Sequence, residues 1–411
     1  MERVVITGVG AISALGVGAD VNFREALSGN SGIGLLHCSY ANELGFDVVA
    51  KILTPLPALI AKTEAPLFDR VSLLALAVAQ EAYAQSGLNV DPEQAVRSSV
   101  FWGTGLGGAN TMEVAYEDIL LKNKQRARPM AVVASMNNAA AGQIAIRFGF
   151  GGSVNTYSSA CVSSAQAIGE AFRHIRDGYA ERAIAGGSEA LLTHAVLSAW
   201  DAMRVIANTD TAHPERSCKP FSKNRSGLVL GEGGAAIVLE SLTSAQARGA
   251  TILAELVGYG ASNDATHITK PDPAGQVRAM EMALSEAQLP LSAIDYINAH
   301  GAGTVAGDAA ETSSIKTAFG EHAKSIMVSS TKAVHGHTLG AGGALELIIS
   351  LQALRANAVP PTAFLDDPDP ACDLDYVPLQ ARHNRELHAV MSNSFAFGGS
   401  NVALIAKKLT A

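Results

Sequence analysis

The stretch Asn155-Thr156-Tyr157-Ser158-Ser159-Ala160-Cys161-Val162-Ser163-Ser164 sets a cysteine among small residues, where a strand-like segment gives way to a helix. Counted from Cys161, small or apolar residues follow at spacings of four, three, four and three, as on one helical face: Ala165, Ile168, Phe172 and Ile175. The free N–H groups and dipole of a helix N-terminus stabilise a thiolate, so we expect a lowered pKa for Cys161. The stretch indicates a nucleophile; a compact buried side chain without chemistry is the open alternative.

Two later segments each place a histidine after a strand-like run and before a glycine-rich turn. His300 follows the apolar run 294–297 and precedes Gly-Ala-Gly, and His337 precedes a Gly/Ala-rich helix start. Lys332 lies shortly before His337. A histidine by itself is more often a hydrogen-bonded structural residue than a catalyst. Only its combination with Cys161 points to chemistry.

Cys161, His300, His337 and Lys332 together resemble the Cys-His-His set and accompanying lysine of the β-ketoacyl-acyl-carrier-protein synthases, condensing enzymes of the thiolase superfamily. The resemblance covers nearly the whole chain and is closest to the elongating type II synthases. Its further motifs are VVITGVG (4–10), AGGSE (185–189), LVLGEG (228–233) and NSFAFGGSN (393–401). It implies a decarboxylative Claisen condensation in which Cys161 carries the acyl chain and both histidines donate to the enolate oxygen. No metal or organic cofactor is implied.

The resemblance also assigns roles around the nucleophile. It implies an oxyanion hole formed by the backbone N–H groups of Cys161 and Phe397, and it makes Phe397 the gate that admits the acyl chain. It pairs Lys332 with Glu346, which favours a structural ion pair over direct catalysis, although both roles stay open.

Substrate-binding positions follow from the same resemblance. Thr304 is expected to hold the pantetheine arm, with Thr269 also at this arm, whereas Ala302 stands where the family has a second hydroxyl. The expected acyl channel is lined by Leu106, Ala131, Met112, Trp200 and Asp201. A small Ala131 widens such a channel, and a carboxylate at Asp201 is costly beside a saturated chain. These two residues suggest an unsaturated, aryl-bearing or otherwise functionalised substrate, as in polyene or polyketide pathways.

Partners are implied as well. Positive side chains around the expected tunnel mouth would attract an acidic acyl carrier protein: Lys62, Arg70, Lys124, Arg126, Arg128 and Arg204. Arg126 and Arg204 lie where the family docks its carrier. The family also forms dimers through residues 154–158 and the region of Ala131. Both a homodimer and a heterodimer with a ketosynthase-like chain-length factor are open.

Composition excludes several other classes of protein. The formal charge of −8 and the lack of a long basic run argue against a nucleic-acid partner. Four scattered cysteines without a CxxC motif indicate neither a disulfide framework nor a zinc site, and they suit a reducing cytoplasm. The longest clean apolar run, 73–79, is too short to cross a membrane.

Strand-like runs alternate with helical stretches along the chain, which predicts an α/β protein. The strand candidates are 4–7, 99–102, 183–185, 235–239, 294–298, 326–329, 390–392 and 402–406. The clearest helices are 72–86, 164–176, 276–287 and 344–356. The resemblance implies a thiolase-like fold, with two similar halves in a five-layered αβαβα arrangement. We place the halves at 1–241, which holds the cysteine, and 242–411, which holds the histidines.

Two alternative functions are open to the sequence. The stretch 103–108, GTGLGG, matches the dinucleotide-binding pattern GxGxxG, although no acidic residue ends a strand about twenty residues later. A chain of this family can also act as a chain-length-determining partner that has lost the nucleophile. Retention of Cys161, His300 and His337 argues against that partner role.

Overall fold

Strands and helices alternate throughout the computed structural model, which describes residues 1–61 and 63–409. The strands are β1 Val4–Ser13, β2 Gly16–Val17, β3 Gly34–Leu35, β4 Val48–Val49, β5 Ser98–Gly103, β6 Val154–Tyr157, β7 Arg182–Glu189, β8 Gly233–Ser241, β9 Ala254–Asn263, β10 Ile294–Asn298, β11 Met327–Ser329, β12 Ala389–Phe395 and β13 Ser400–Lys407. The α-helices are α1 Ala19–Ser28, α2 Arg70–Ser86, α3 Pro92–Ala95, α4 Ala109–Tyr116, α5 Ala131–Ser135, α6 Ala139–Phe148, α7 Ser163–Arg176, α8 His194–Ala202, α9 Leu242–Ala247, α10 Pro273–Ala287, α11 Val305–Phe319, α12 Lys332–His335 and α13 Gly342–Ala356.

The main sheet repeats one strand order twice. From its centre outward, one group runs β1-β8-β7-β5-β6 and the other runs β9-β13-β12-β10-β11. In both groups the first two pairings are antiparallel and the last two are parallel. The two groups meet where Val4, Val5 and Ile6 of β1 pair with Leu256, Glu255 and Ala254 of β9. The halves therefore share a topology that their sequences do not show.

Helices α7 and α13 lie between the two groups of strands. α7 contacts β5 and β7 on one side and β9 and β13 on the other, and α13 contacts β8 and β12. Helices α2 and α6 cover the outer face of the first group, and α10 and α11 cover that of the second. This arrangement is the predicted αβαβα sandwich, and the α/β thiolase-like fold is confirmed. The domain boundary between 241 and 242 stays a prediction.

The alternation of side chains along matching strands shows how each sheet serves two cores. In β8, Ala235, Ile237 and Leu239 face the central helices, while Ala236 and Val238 face α2. β13 repeats this pattern, with Val402, Leu404 and Ala406 inward and Ala403 and Ile405 toward α10. Successive side chains of a strand point to opposite faces, so fully apolar runs mark strands that are covered on both sides.

Glycines in the first strand of each group allow a helix to lie directly on the sheet. A Cβ at Gly8 or Gly10 would lie 2.0 or 2.2 Å from a carbonyl oxygen of α2. In β9, a Cβ at Gly258 or Gly260 would lie 2.4 or 1.8 Å from a carbonyl oxygen of α10. The same close approach thus recurs in both halves.

The sequence predictions of regular structure are confirmed where the apolar pattern is unbroken. All eight strand candidates and all four helix candidates coincide with observed elements. Strand β9 is not among the predicted strands, because the glycines required by α10 interrupt its β-branched pattern. Short helices such as α8 also lie outside the four predicted helices.

One buried helix resembles a membrane span in length and composition. The stretch Leu339–Ala356, which contains α13, is the candidate span found among the described residues. However, 89% of it is buried inside the protein. Its apolar character on all sides therefore fits a helix in the central layer of the sandwich.

We predict that adding one methyl group between the central helices destabilises the protein. A Cβ at Gly343 of α13 would lie 2.7 Å from the Ala165 Cβ and 3.1 Å from the Ala165 backbone nitrogen of α7. Gly343→Ala should lower the free energy of unfolding by about 1–3 kcal/mol, because a packed core resists added volume. A lower midpoint of thermal unfolding, measured by circular dichroism, is the expected result.

Gly142→Ala is the matched control, since a Cβ there meets no atom within 4 Å and the residue lies inside helix α6. This change should raise stability by about 0.5–1 kcal/mol through helix propensity. Equal midpoints for the two variants would contradict the close packing of α7 on α13.

Candidate active site

Cys161 lies in a tight turn between β6 and α7. The turn Ala160–Val162 is a 3-10 helix, and α7 begins at Ser163. The Ser163 hydroxyl donates to the Ala160 carbonyl at 2.6 Å and accepts the Ser159 N–H at 2.9 Å, which holds the turn closed. Only 7% of the Cys161 surface is exposed. The predicted place of the cysteine, between a strand and a helix start, is confirmed.

His337 supplies the direct partner of this thiol. Its Nε2 lies 3.0 Å from Cys161 Sγ, although the two residues come from different halves of the chain. The backbone of His337 is fixed on both sides by the segment 229–231: its N–H donates to Val229 at 2.7 Å, and its carbonyl accepts from Gly231 at 2.9 Å. The structure thus brings together the nucleophile and the second predicted histidine.

His300 enters the same site from the loop after β10. Its ring lies 5.3 Å from the His337 ring, centroid to centroid and nearly perpendicular to it. The buried carboxylate of Glu311 accepts the backbone N–H groups of His300 and Gly301, each at 2.8 Å. Glu311 therefore positions the histidine loop.

Two buried acidic residues of α11 are not among the predicted site residues. Besides Glu311, Asp308 accepts the N–H groups of Gly303 at 3.1 Å and Phe221 at 2.7 Å, which fixes the rest of the loop. Both acids are buried on a helix that otherwise presents small and apolar residues inward. Acidic residues spaced three apart in such a helix are the signal that could have revealed them.

Lys332 and Glu346 form a buried ion pair beside these residues. Each side chain is only 1% exposed, and the Lys332 ammonium group donates to Glu346 Oε1. Burial raises the pKa of Glu346 to about 7, although the positive charge of Lys332 lowers it. The pairing that the family resemblance implies is therefore present in the structure.

The charge state expected for the cysteine needs correction. Burial raises the pKa of the Cys161 thiol to about 12, and the charge of Lys332 lowers it only in part. Burial, followed by the Lys332 charge, also holds the pKa values of His300 and His337 well below their ordinary range. The prediction of a lowered thiol pKa is wrong because loss of solvent outweighs the helix N-terminus. Thiol and imidazoles are neutral at rest.

The GxGxxG loop is organised by a buried carboxylate. Glu189, which is fully buried, accepts the N–H groups of Gly105 at 2.7 Å, Leu106 at 3.1 Å and Gly340 at 2.9 Å. These N–H groups are therefore occupied and unavailable to a pyrophosphate. The GTGLGG stretch therefore gives no support to a dinucleotide-binding function.

A cavity of about 180 Å³ connects the three catalytic candidates with solvent. Cys161, His300 and His337 line its inner end. Other predicted residues in its wall are Trp200, Thr269, Thr304, Phe397 and the substituted Ala302. Thr304 caps α11 by accepting the Gly307 N–H at 3.2 Å, which leaves its hydroxyl hydrogen available to a substrate.

Four predicted channel residues are not part of this cavity wall: Leu106, Met112, Ala131 and Asp201. The Asp201 carboxylate accepts the Gly45 N–H at 2.8 Å instead. Asp201 thus holds a neighbouring loop, and its charge gives no reason to expect a functionalised substrate.

The predicted carrier-docking residues differ in availability. Arg70 is bound to Glu232 at 2.6 Å, and Lys124 is bound to Asp118 at 3.0 Å. Arg126 and Arg204 are exposed. Lys62 lies outside the described residues.

A comparison with known families decides the identity of the fold. The model of the β-ketoacyl synthase N-terminal domain matches residues 1–245, and that of the C-terminal domain matches residues 253–366. The chain belongs to the β-ketoacyl synthase family. The family predicted from Cys161, His300 and His337 is confirmed.

Similar proteins share the full length of the chain. Nodulation protein E of Rhizobium sp. (strain N33) is 44% identical over 98% of both chains. The 3-oxoacyl-[acyl-carrier-protein] synthase 2 of Staphylococcus aureus (strain COL) is 39% identical over 100% of this chain and 99% of its own. A solved ishigamide ketosynthase/chain length factor superposes with a TM-score of 0.92 at 29% identity, covering 100% of both chains. The chain is thus an acyltransferase-type condensing enzyme of a family that needs no free cofactor.

We predict that alkylation of Cys161 increases with pH without levelling off below pH 10. With a thiol pKa of about 12, the thiolate fraction rises about tenfold per pH unit over this range. The rate is measured with iodoacetamide as mass added to the peptide that contains Cys161, with Cys161→Ala as the control. A plateau below pH 8 would show instead that the helix N-terminus stabilises the thiolate.

Proposed function

We propose that this protein condenses an acyl chain, held as a thioester on Cys161, with malonyl-acyl carrier protein, with loss of CO2. The observation that carries the proposal is the meeting of Cys161, His337 and His300 at the inner end of one cavity. The product is a β-ketoacyl chain on its carrier, in fatty-acid or polyketide synthesis.

The first step transfers the acyl chain to Cys161. Because the thiol is neutral at rest, its proton has to leave as the sulfur attacks the thioester. His337 Nε2, at 3.0 Å from Sγ, carries a proton and donates a hydrogen bond to the negative charge that develops on the attacking sulfur. The thiol proton passes to the departing pantetheine sulfur, so that thioester exchange leaves the protein neutral. The N–H groups of Cys161 and Phe397 are proposed as the oxyanion hole.

The second step removes CO2 from the malonyl thioester and leaves an enolate. Two neutral imidazoles that carry a proton on Nε2 can both donate to the enolate oxygen, and such donors act strongly in a site without water. The low pKa values of His300 and His337 keep these rings from becoming imidazolium ions. The enolate carbon attacks the acyl carbon on Cys161 and releases the sulfur as a thiolate, which takes up one proton from solvent to restore the neutral thiol.

Lys332 acts on this step through its charge. After burial, its ammonium group is the strongest influence that lowers the pKa of both histidines, and it also favours the Cys161 thiolate. Glu346 holds that ammonium group in place. We therefore assign Lys332 an electrostatic and positioning role, and no direct contact with substrate.

The cavity wall supplies the contacts for the pantetheine arm. Thr304 and Thr269 both line it, and each offers a hydroxyl to an amide of the arm. Ala302 has no hydroxyl to offer, so one hydrogen bond of the family is lost. Exposed Arg126 and Arg204 are proposed to bind the acidic carrier protein.

A cytoplasmic location is proposed from the cysteines, because all four are free thiols, which suits a reducing compartment.

A second ketosynthase-like chain is proposed to cover the edge strand β6. This strand pairs with β5 on one side. Near it, α5 exposes 71% of Val132 and 47% of Val133, and β6 exposes 43% of Val154. Exposed apolar side chains beside an edge strand favour association. The second chain is a copy of this one or a chain-length factor, as in the solved ishigamide complex.

We predict that single substitutions separate the two chemical steps. Purified protein is incubated with acyl and malonyl carrier proteins, and intact masses of enzyme and product are followed. Wild type should gain acyl mass and yield a β-ketoacyl product, whereas Cys161→Ala should gain no acyl mass. His300→Ala should still be acylated, but should form product about 10²–10³-fold more slowly, because one enolate donor is removed.

Absence of acylation with every primer would overturn the condensing assignment and favour the chain-length partner role. Loss of acylation in His300→Ala would contradict the assignment of His300 to decarboxylation alone.

The proposed interface gives a separate prediction. Val132→Asp should convert the dimer into monomers, because it places a charge in an apolar contact. Met282→Asp is the matched control, since Met282 is 44% exposed on α10 in the opposite outer layer. Sedimentation velocity measures both. A wild-type chain that is monomeric until a chain-length factor is added would select the heterodimer, and a Val132→Asp dimer would exclude this interface.

A further inference from the structure

The proposed gate residue rests on an aromatic neighbour in the closed cavity. The rings of Phe397 and Trp200 are stacked, with centroids 6.0 Å apart and planes inclined by 24°. Both side chains line the cavity above Cys161. Stacked aromatic pairs are more favourable than their buried area alone predicts. The contact therefore favours the position of Phe397 seen in this structure.

The proposed movement concerns the ring of Phe397, because its loop is anchored. The Gly398 N–H donates to the Ile268 carbonyl at 2.7 Å, and the Gly398 carbonyl accepts from the Asn263 side chain at 2.8 Å. A Cβ at Gly398 would meet no atom within 4 Å, so there is free space beside the gate. Displacement of Phe397 is therefore a rotation of its side chain away from Trp200.

Trp200, in contrast, is held by a helix that is fixed at both ends. At the start of α8, the Glu113 carboxylate accepts the N–H groups of His194 and Ala195, each at 2.9 Å. At its end, Asp201 accepts the Gly45 N–H at 2.8 Å. The indole therefore presents a fixed surface to a mobile ring.

We propose that Trp200 is the latch of the acyl gate: its indole holds Phe397 in the closed position until an acyl chain displaces it. The inference rests on the proposed function, in which Phe397 gates access to Cys161. Trp200 is a positioning residue that acts through Phe397, and Asp201, the next residue of α8, holds the end of that helix by accepting the Gly45 N–H. The carboxylate of Asp201, which would be costly in an acyl channel, thus supports the helix that carries Trp200.

The latch can be observed without any substrate. The chain contains two tryptophans, and Trp102 is fully buried, with its indole N–H 3.0 Å from the Ser188 hydroxyl. In a Trp102→Phe variant, all tryptophan emission comes from Trp200. Adding Phe397→Ala should shift this emission to longer wavelength, because the indole loses the ring that covers it. Should Trp102→Phe not fold, the emission spectrum of Trp200 is obtained by subtracting the spectrum of Trp200→Phe from that of the wild type. The same subtraction is made with Phe397→Ala present in both proteins.

Kinetics give a second measurement. Trp200→Ala should increase the single-turnover rate of Cys161 acylation by about two- to tenfold, the weight of one stacked pair, with Trp200→Phe in between. Ser198→Ala is the matched control, because Ser198 is exposed on the same helix and does not line this cavity. Its rate should stay at the wild-type value.

A Trp200 emission maximum that Phe397→Ala leaves unchanged, a Trp200→Ala rate at or below the wild-type rate, or an equal rate increase in Ser198→Ala would each overturn the latch. A wild type that is never acylated would overturn the proposed function instead, while the emission comparison would still test the contact.

Discussion

The close packing of α7 against α13 is the constraint on which the site depends. Each helix is the central helix of its half, and each begins shortly after a residue proposed to be catalytic: Cys161 before α7 and His337 before α13. Gly343 lets the two helix starts approach, and the Ser164 hydroxyl accepts the Ala344 N–H at 3.0 Å across the contact. Side chains at adjacent helix starts must meet, so helix packing sets the 3.0 Å contact between Cys161 Sγ and His337 Nε2.

Burial at this junction decides how the chemistry can run. A helix start favours a thiolate, but the site lies where both halves exclude water, and desolvation penalises every charge there. The buried ammonium group of Lys332 is paired with Glu346. A lone buried ammonium group would be unstable, whereas the pair can persist and bias its neighbours. The neutral thiol and imidazoles thus follow from the architecture, and proton transfer has to accompany acyl transfer.

The sequence predicted structure correctly where the local pattern of apolar and small residues was sufficient. Unbroken apolar runs revealed β8 and β13, and an isolated cysteine between small residues indicated the proposed nucleophile. Strand β9 could not be predicted, because its glycines are required by close contact with α10, a later helix, and the spacing of residues within the strand does not show that contact. The role of Glu311 also depends on contacts that the sequence does not show. Its partners are backbone N–H groups, which leave no mark in a sequence.

Asp201 shows the limit of inference by position. A carboxylate in an acyl channel implies a polar substrate only if it faces the channel, and side-chain direction depends on helix phase. In α8 the phase turns Trp200 toward the cavity and Asp201 toward Gly45. The indole of Trp200 therefore lines the cavity, whereas the carboxylate of Asp201 holds the neighbouring loop. Two adjacent residues thus differ in surroundings because of helix phase alone, and the cavity wall is apolar at this point.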